Sequence, residues 1–144
     1  MQEALVDANV IYAFRMQRDQ WHEEGAAIVT AIDAGDLPRS ILTSFALAEI
    51  LTPIQHRAGH EPAVGTLDFL KRSSGFRLRH VAQEDFTRAQ ALLPEHPDVE
   101  LPDLMIVAYM QRRDLEYIYS FDDDFDRFDD ITRLTSPTNP FHPD

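Results

Sequence analysis

The sequence predicts an α/β fold, namely an α/β/α sandwich around a central, mainly parallel sheet. Short segments rich in β-forming residues alternate with longer segments in which apolar residues recur at helical spacing. The 144 residues are 44% hydrophobic and 26% charged, which is typical of globular proteins and excludes disordered, collagen-like and coiled-coil classes. No repeat or Gly/Ser-rich linker divides the chain. We therefore predict one domain over residues 1–135 and an irregular tail over residues 136–144.

The first half of the chain predicts two strands and three helices. In chain order these are a strand over residues 3–6, a helix over 21–34, a strand over 39–43, a helix over 44–57 and a helix over 61–72. Ser44 is predicted to cap the second of these helices, because its hydroxyl can accept a hydrogen bond from the first turn. Pro53 is predicted to bend that helix, because proline lacks a backbone N–H.

The second half predicts three strands and two helices. In chain order these are a strand over residues 76–81, a helix over 83–93, a helix that begins at 103, a buried strand over 115–120 and an edge strand over 131–135. Pro102 favours a helix start, and Arg112 and Arg113 are favourable near its C-terminal end. Strands that alternate with helices in this way predict the parallel sheet.

The balance of charge is unusual. The chain has 25 acidic and 13 basic residues, a net charge of −12, and Lys71 is its only lysine. A polyanion is normally met by a basic surface, so this balance at first argues against nucleic acid. Two interpretations remain open and can coexist: a solvated acidic surface, as in proteins adapted to high salt, or a local carboxylate cluster that holds a metal.

Further features exclude other classes. The chain contains no cysteine, which rules out disulfides, thiolate metal sites and cysteine nucleophiles. The first residues lack the basic region of a signal peptide, and the longest apolar run, residues 104–110, is too short to span a bilayer. We therefore expect a cytoplasmic protein that does not associate with membranes.

Four carboxylates stand at informative positions. Asp7 and Asp122 each follow a predicted strand, and in a parallel sheet the ligand site lies beyond the carboxyl ends of the strands. Glu49 and Asp103 each interrupt an apolar helical segment, SFALAEIL and LPDLMIVAYM. A carboxylate beside a buried stripe is costly unless a partner neutralises it. These four residues are therefore the candidate functional acids.

The same residues form an ordered set of motifs. VDANVIYA follows the first strand, SFALAE begins a helix, LPDLMIVAYM contains an Asp at the start of a helix, and SFDDDF follows a late strand. This set resembles the PIN domain, specifically the stand-alone prokaryotic members typified by VapC toxins. The resemblance extends from about residue 3 to residue 133.

The resemblance implies a ribonuclease that depends on Mg²⁺ or Mn²⁺ and leaves a 3′-hydroxyl and a 5′-phosphate. It implies a metal-binding and catalytic quartet with an occasional fifth metal ligand: Asp7, Glu49, Asp103 and Asp122, with Asp124 as the fifth. Asn9 and Ser120 match polar positions of the motifs, and we interpret them as donors that orient the acids or the attacking water. Converging carboxylates require a compensating charge, and hard oxygen ligands select Mg²⁺ or Mn²⁺ over zinc.

Each acid also has a purely structural interpretation. Asp7 can cap the helix that follows it, Glu49 can face solvent, and Asp103 can stabilise a helix N-terminus through the dipole. The acidic run that begins at Asp122 is ordinary for a solvated loop. Only Asp122 and Asp124 of that run are therefore assigned to the site.

One stretch of the chain is basic. Residues 71–80 carry Lys71, Arg72, Arg77 and Arg79 without one acid, and these four are the candidate RNA contacts. The alternative is a strand edge that its charges protect from aggregation.

The function hypothesis is a metal-dependent endoribonuclease that forms the toxin half of a VapBC-type pair. It implies a small antitoxin partner and a homodimer. The helices over residues 44–57 and 61–72 are the candidate dimer surface, with packing in the core as the competing use of their apolar residues. The alternatives are a housekeeping PIN nuclease in RNA processing or decay, and a catalytically degraded PIN-fold module that binds RNA or protein.

Overall fold

In a computed structural model, which describes residues 2–142, five strands alternate with six helices. In chain order the elements are β1 (Glu3–Val6), α1 (Ala8–Arg15), α2 (His22–Ala34), β2 (Arg39–Thr43), α3 (Ser44–Ala58), α4 (His60–Arg72), β3 (Phe76–Arg79), α5 (Gln83–Leu92), α6 (Leu101–Arg113), β4 (Tyr117–Tyr119) and β5 (Thr132–Leu134). Two short 3₁₀ helices, Leu93–Glu95 and Asp123–Arg127, follow α5 and β4.

The strands form one sheet in the order β3-β2-β1-β4-β5, and all four strand pairs are parallel. The predicted α/β fold with a parallel sheet is therefore confirmed. The chain leaves β1 toward β2 on one side and later returns beside β1 as β4 on the other. The carboxyl ends of β1 and β4 are neighbours at this reversal, which is where open α/β sheets form ligand sites.

Helices cover both faces of the sheet. Ala4 and Val6 of β1 pack in a core shared with α1 to α4, whereas Leu5 packs in a second core shared with α5 and α6. This division follows from the alternation of side chains along a strand. Because Ala4, Leu5 and Val6 of β1 are buried between these two cores, the strand is apolar from Ala4 to Val6, and Asp7 carries the first charge after it.

Two predictions about local structure were wrong or incomplete. Thr43, and not Ser44, caps α3: its backbone is extended, and its Oγ1 accepts from the Ala46 N–H at 3.3 Å. The reason is that β2 continues through Thr43, so the extended residue that a cap requires is the last strand residue. Helix α1 was not predicted, because Val10, Ile11 and the neighbouring aromatic residues favour strands by propensity.

Other boundaries moved by one or two residues. Helix α6 begins at Leu101, so Asp103 lies in its first turn and Pro102 occupies a position that needs no N–H partner. Residues 136–142 of the predicted tail contain no helix or strand, and residues 143–144 lie outside the described part. Among the helices of residues 2–142, none combines the length and the apolar character that crossing a membrane requires.

Candidate functional site

The site begins where β1 and β4 end side by side. The Asp7 N–H donates to the Tyr119 carbonyl at 2.9 Å, which aligns the two strand ends. The Asp7 carboxylate is 5% exposed, accepts from the Ala8 N–H at 2.8 Å and accepts from the Ser120 hydroxyl at 2.7 Å. Asp7 therefore caps α1 and also presents a nearly buried carboxylate at the sheet edge, so its capping role leaves it a candidate site residue.

Ser120 connects the two strand ends to the loop that follows β4. Its hydroxyl donates to Asp7 and accepts from the Asp122 N–H at 3.0 Å and from the Asn9 amide at 3.5 Å. The Asn9 side-chain oxygen in turn accepts from the Phe121 N–H at 3.3 Å. These bonds fix the backbone of residues 120–122 relative to α1. The Asp122 side chain is consequently held beside Asp7.

The four predicted acids line one cavity. Its volume is about 330 Å³, and Asp7, Glu49, Asp103 and Asp122 are all in its wall. They arrive from four places in the chain: the end of β1, the second turn of α3, the first turn of α6 and the loop after β4. Glu49 is exposed, and Asp103 and Asp122 are half-buried. The cavity is therefore open to solvent at its rim and closed at Asp7.

Burial and the charges of neighbouring acids raise the pKa values of the acids in the cavity. Burial, and to a lesser extent the charge of Asp122, raises the pKa of Asp7 from 3.8 to about 6, against the opposing hydrogen bonds from Ser120 and Ala8. Burial, followed by the charges of Asp7 and Asp122, raises the pKa of Asp103 to about 8. Burial and the charge of Asp7 also raise the pKa of Glu49. The cluster therefore lacks the positive charge that would let all its members ionise at neutral pH.

A fifth acid lies at the edge of this cluster. Asp103, Asp122 and Asp124 each offer a carboxylate oxygen, and these three oxygens lie within 4.8 Å of one another. The Asp124 N–H donates to Asp122 Oδ1 at 2.9 Å, so the short turn after β4 sets their relative position. Oxygens bound to one Mg²⁺ at about 2.1 Å are at most roughly 4.2 Å apart, so a small contraction brings this set around a cation. The donor set and its spacing fit a hard divalent ion.

Three of these acids stand at helix beginnings. Asp7 is the N-cap of α1, Asp103 is in the first turn of α6, and Asp122 is the N-cap of the 3₁₀ helix Asp123–Arg127. The unpaired N–H groups and the dipole at a helix N-terminus favour negative charge, which for α1 and α6 offsets part of the repulsion within the cluster.

The cavity also contains residues that the sequence analysis missed. Arg57, Tyr12 and Glu100 are in its wall, and Arg57 is its only basic residue among the described part of the chain. The Arg57 guanidinium donates to the Tyr12 hydroxyl and lies 5.6 Å from the ring centroid. The distance in sequence between Glu49 and Arg57 could have indicated this residue, because Arg57 is about two helical turns after Glu49 and faces the same side of α3.

The predicted RNA contacts lie elsewhere. None of Lys71, Arg72, Arg77 and Arg79 is in the wall of the acidic cavity. Three of them, all except Arg72, line a separate groove along the free edge of β3. The other acids of the run after β4 were assigned to the surface, and they are exposed: Asp123, Asp126, Asp129 and Asp130.

A parallel α/β sandwich with a carboxylate-lined cavity at the strand reversal defines the class of protein, a small α/β domain with an acidic site at the carboxyl ends of its strands. Within that class, the family model of the PIN domain matches residues 4–131, and the chain belongs to the PIN domain family. A sequence search among curated proteins gives no significant match.

Solved structures of the same fold are similar over nearly the full chain. VapC20 of Mycobacterium tuberculosis, a toxin that cleaves the sarcin–ricin loop, has 23% identity and a TM-score of 0.74, and the alignment covers 88% of this chain and 94% of that one. VapBC2 of Rickettsia felis, bound to a DNA fragment from its promoter, has 11% identity and a TM-score of 0.70, covering 92% and 98%. FitAcB of Neisseria gonorrhoeae has 16% identity and a TM-score of 0.64, covering 98% and 99%.

Proposed function

We propose that this PIN domain protein is a metal-dependent endoribonuclease and the toxin component of a VapBC-type toxin–antitoxin pair. The observation that carries the proposal is the convergence of Asp7, Glu49, Asp103 and Asp122 on one cavity, with pKa values raised by burial and mutual repulsion. Acids kept at this cost in stability are typical of sites in which a cation or substrate compensates the charge. The reaction is hydrolysis of an RNA phosphodiester bond, leaving a 3′-hydroxyl and a 5′-phosphate.

The proposed metal ligands are the quartet and Asp124, and the proposed ion is Mg²⁺ or Mn²⁺. When bound, such an ion supplies positive charge for the scissile phosphate and lowers the pKa of an attacking water. Asp7 is held by Ser120 and by the α1 backbone, so its carboxylate has a fixed orientation. Asn9 holds the loop after β4 in place through the Phe121 N–H. Fixed orientation of the acids is what keeps the water and the phosphate in reactive geometry.

Arg57 is proposed to bind a phosphate oxygen of the substrate. Its guanidinium lies on Tyr12, an uncharged partner, and within residues 2–142 it forms no ion pair with the acids of the cavity. A guanidinium can pair with two phosphate oxygens through its planar fork. The positive charge of Arg57 therefore remains available for the anionic substrate at the rim of an acidic cavity.

The known structures of similar fold support the choice of RNA and of a protein partner. VapC20 is a toxin that cleaves the sarcin–ricin loop, and a further similar structure is a toxin–antitoxin complex from Klebsiella pneumoniae, with 20% identity, a TM-score of 0.63 and coverage of 94% and 98%. We propose that this chain likewise binds a small antitoxin protein. Growth arrest on expression, relieved by co-expression of a small protein encoded beside it, distinguishes a toxin from a housekeeping nuclease.

The proposed oligomer is a homodimer. Phe45 on α3 and Val64 on α4 are each 41% exposed, which leaves apolar surface on the two helices predicted to form the dimer contact. Sedimentation velocity of the wild type and of Phe45→Ser tests this. A monomer at micromolar concentration contradicts the proposal.

The decisive experiment is cleavage of defined RNAs in Mn²⁺ and in EDTA by the wild type, Asp122→Asn and Asp129→Asn. Asp129 is exposed and lies outside the acidic cavity, so Asp129→Asn is the matched control for the loss of one charge. We expect cleavage by the wild type and by the control in Mn²⁺ alone, with products that accept a 5′ label only after phosphatase treatment. Cleavage in EDTA, or wild-type cleavage by Asp122→Asn, contradicts the assignment.

A further inference from the structure

A basic groove runs along the free edge of β3. Its volume is about 430 Å³, and four basic side chains line it: Arg39, Lys71, Arg77 and Arg79. The other residues of its wall are Leu70, Ser74, Phe76 and Leu78, so no acid of the described chain is among them. Arg39 joins the three residues of the basic stretch because β2 pairs with β3. Almost a third of the basic residues of a protein with a net charge of −12 are therefore gathered at one edge.

The charges of this groove are not neutralised. Lys71 and Arg79 are exposed and form no ion pair within residues 2–142, and Arg79 donates only to the Leu78 carbonyl at 3.1 Å. Arg77 approaches Glu3 at 4.0 Å, and its Nε has no hydrogen-bond acceptor. Arg112, by contrast, makes a close pair with Asp85 at 2.6 Å. The groove therefore has positive charge without an ion-pair partner among the described residues, whereas the charge of Arg112 is paired with that of Asp85.

The groove runs the length of β3 and reaches, at Arg79, the carboxyl edge of the sheet where the acidic cavity lies. Arg79 ends β3, Asp7 follows the end of β1, and β2 lies between these parallel strands. Adjacent strands are about 4.8 Å apart, so the ends of β3 and β1 are separated by roughly 10 Å. The Debye length at 0.1 M salt is also about 10 Å, so the local charge of the groove, and not the net charge of the protein, acts on a bound anion.

We propose that this groove binds the phosphate backbone of single-stranded RNA beside the bond that is cleaved. The inference rests on the proposed nuclease function, because the acidic cavity alone repels the polyanion that it has to receive. Arg77 and Arg79 are two positions apart on one strand, roughly 7 Å, and form a row of charges that follows a backbone.

An acidic peptide added as a sixth strand is the rival occupant. Such a peptide needs the free backbone groups of β3, but the Leu78 carbonyl already accepts from Arg79. The geometry therefore favours RNA phosphates, which need the side-chain charges and no backbone partner.

The test compares the double variant Lys71→Gln/Arg79→Gln with Arg18→Gln/Arg88→Gln. All four side chains are exposed and form no ion pair in the described chain, so both variants lose the same charge; the groove variant also loses the exposed hydrogen bond from Arg79 to the Leu78 carbonyl. Binding of a labelled single-stranded RNA of about 20 nucleotides is followed by fluorescence anisotropy in EDTA between about 50 and 200 mM salt. Binding in EDTA separates this inference from the nuclease activity.

We expect the groove variant to bind RNA at least about tenfold more weakly at low salt than the control, and to lose about 1.4 from the slope of log K against log salt. In Mn²⁺ it should lose kcat/KM on the long RNA and retain it on a dinucleotide, which cannot reach the groove. Equal affinities and slopes for the two variants overturn the inference, as does tighter binding of a polyglutamate peptide than of RNA. RNA binding through the groove without cleavage in Mn²⁺ refutes the nuclease proposal and leaves the groove in place.

Discussion

Replacement of Asp7 by asparagine is expected to stabilise the metal-free protein as the pH rises. Burial and the charge of Asp122 raise the pKa of Asp7 from 3.8 to about 6 in the folded state. A group with a raised folded pKa contributes fully to stability below its unfolded pKa and loses that contribution as the pH rises through the folded pKa. The wild type therefore loses stability between about pH 4 and pH 8 in the absence of metal.

The magnitude follows from the size of the shift. A difference of about 2 pKa units corresponds to about 3 kcal/mol, of which about 2 kcal/mol falls between pH 4 and pH 8. Asp7 is 5% exposed, so water screens its charge little. Asparagine does not titrate and still accepts from the Ala8 N–H, so α1 keeps its cap. The variant also removes the charge of Asp7 that raises the pKa of Asp103, which adds to the gain.

The assay is urea unfolding in EDTA at several pH values, followed by the fluorescence of Trp21. This residue is the only tryptophan of the chain and is stacked on Phe121 at 5.0 Å, so its emission changes when the site loop unfolds. The difference in unfolding free energy between Asp7→Asn and the wild type should grow by at least about 2 kcal/mol from pH 4 to pH 8. A difference that stays constant over this range refutes the reasoning, and Asp129→Asn controls for the loss of a charge elsewhere.

Further outcomes are expected from the same structure. Mn²⁺ at 100 times its Kd should stabilise the wild type by about 3 kcal/mol in thermal melts, and an equal gain in Asp122→Asn would contradict the metal site. Arg57→Gln should lower kcat/KM roughly tenfold to a hundredfold in steady-state cleavage with an unchanged melting temperature, and a loss of melting temperature would point to a structural role instead. Thr43→Ala should cost about 1 kcal/mol in urea unfolding, and Ser44→Ala less than about half of that; the reverse order would restore Ser44 as the cap. Rising KCl should increase the stability of the metal-free protein, because salt screens the repulsion among its acids, and lower stability in concentrated KCl would remove that interpretation.

The parts of the site that follow from sheet topology could be predicted from the sequence. Asp7 and Asp122 each follow a strand, and parallel strands deliver their ends to one edge, so their proximity needs only the order of the elements. Glu49 and Asp103 could be found because each places a charge beside an apolar stripe. For Glu49 and Asp103 a local conflict in the sequence therefore marked the position, and for Asp7 and Asp122 the order of the elements did so.

The remaining features depend on packing that a linear pattern does not contain. Arg57 lies in the last turn of α3, where a basic residue is favourable without any function, so its spacing from Glu49 is an ambiguous signal that the folded cavity resolves. Arg39 is far in sequence from the basic stretch, and β2–β3 pairing brings it into the groove, whereas Arg72 belongs to the stretch and is absent from the groove wall. Helix α1 has residues of high strand propensity, and its burial against the sheet overrides that preference.

The position of three site acids at helix beginnings bears on whether the protein needs a metal ion to fold. Backbone N–H groups donate to Asp7 and Asp122, and the dipoles of α1 and α6 favour the charges of Asp7 and Asp103, so part of the repulsion within the cavity is offset without a cation. This differs from small domains whose structure appears only once a metal binds. On the proposed function, the supply of divalent ions would then set how many of the folded molecules are active, and would have less effect on how many molecules are folded.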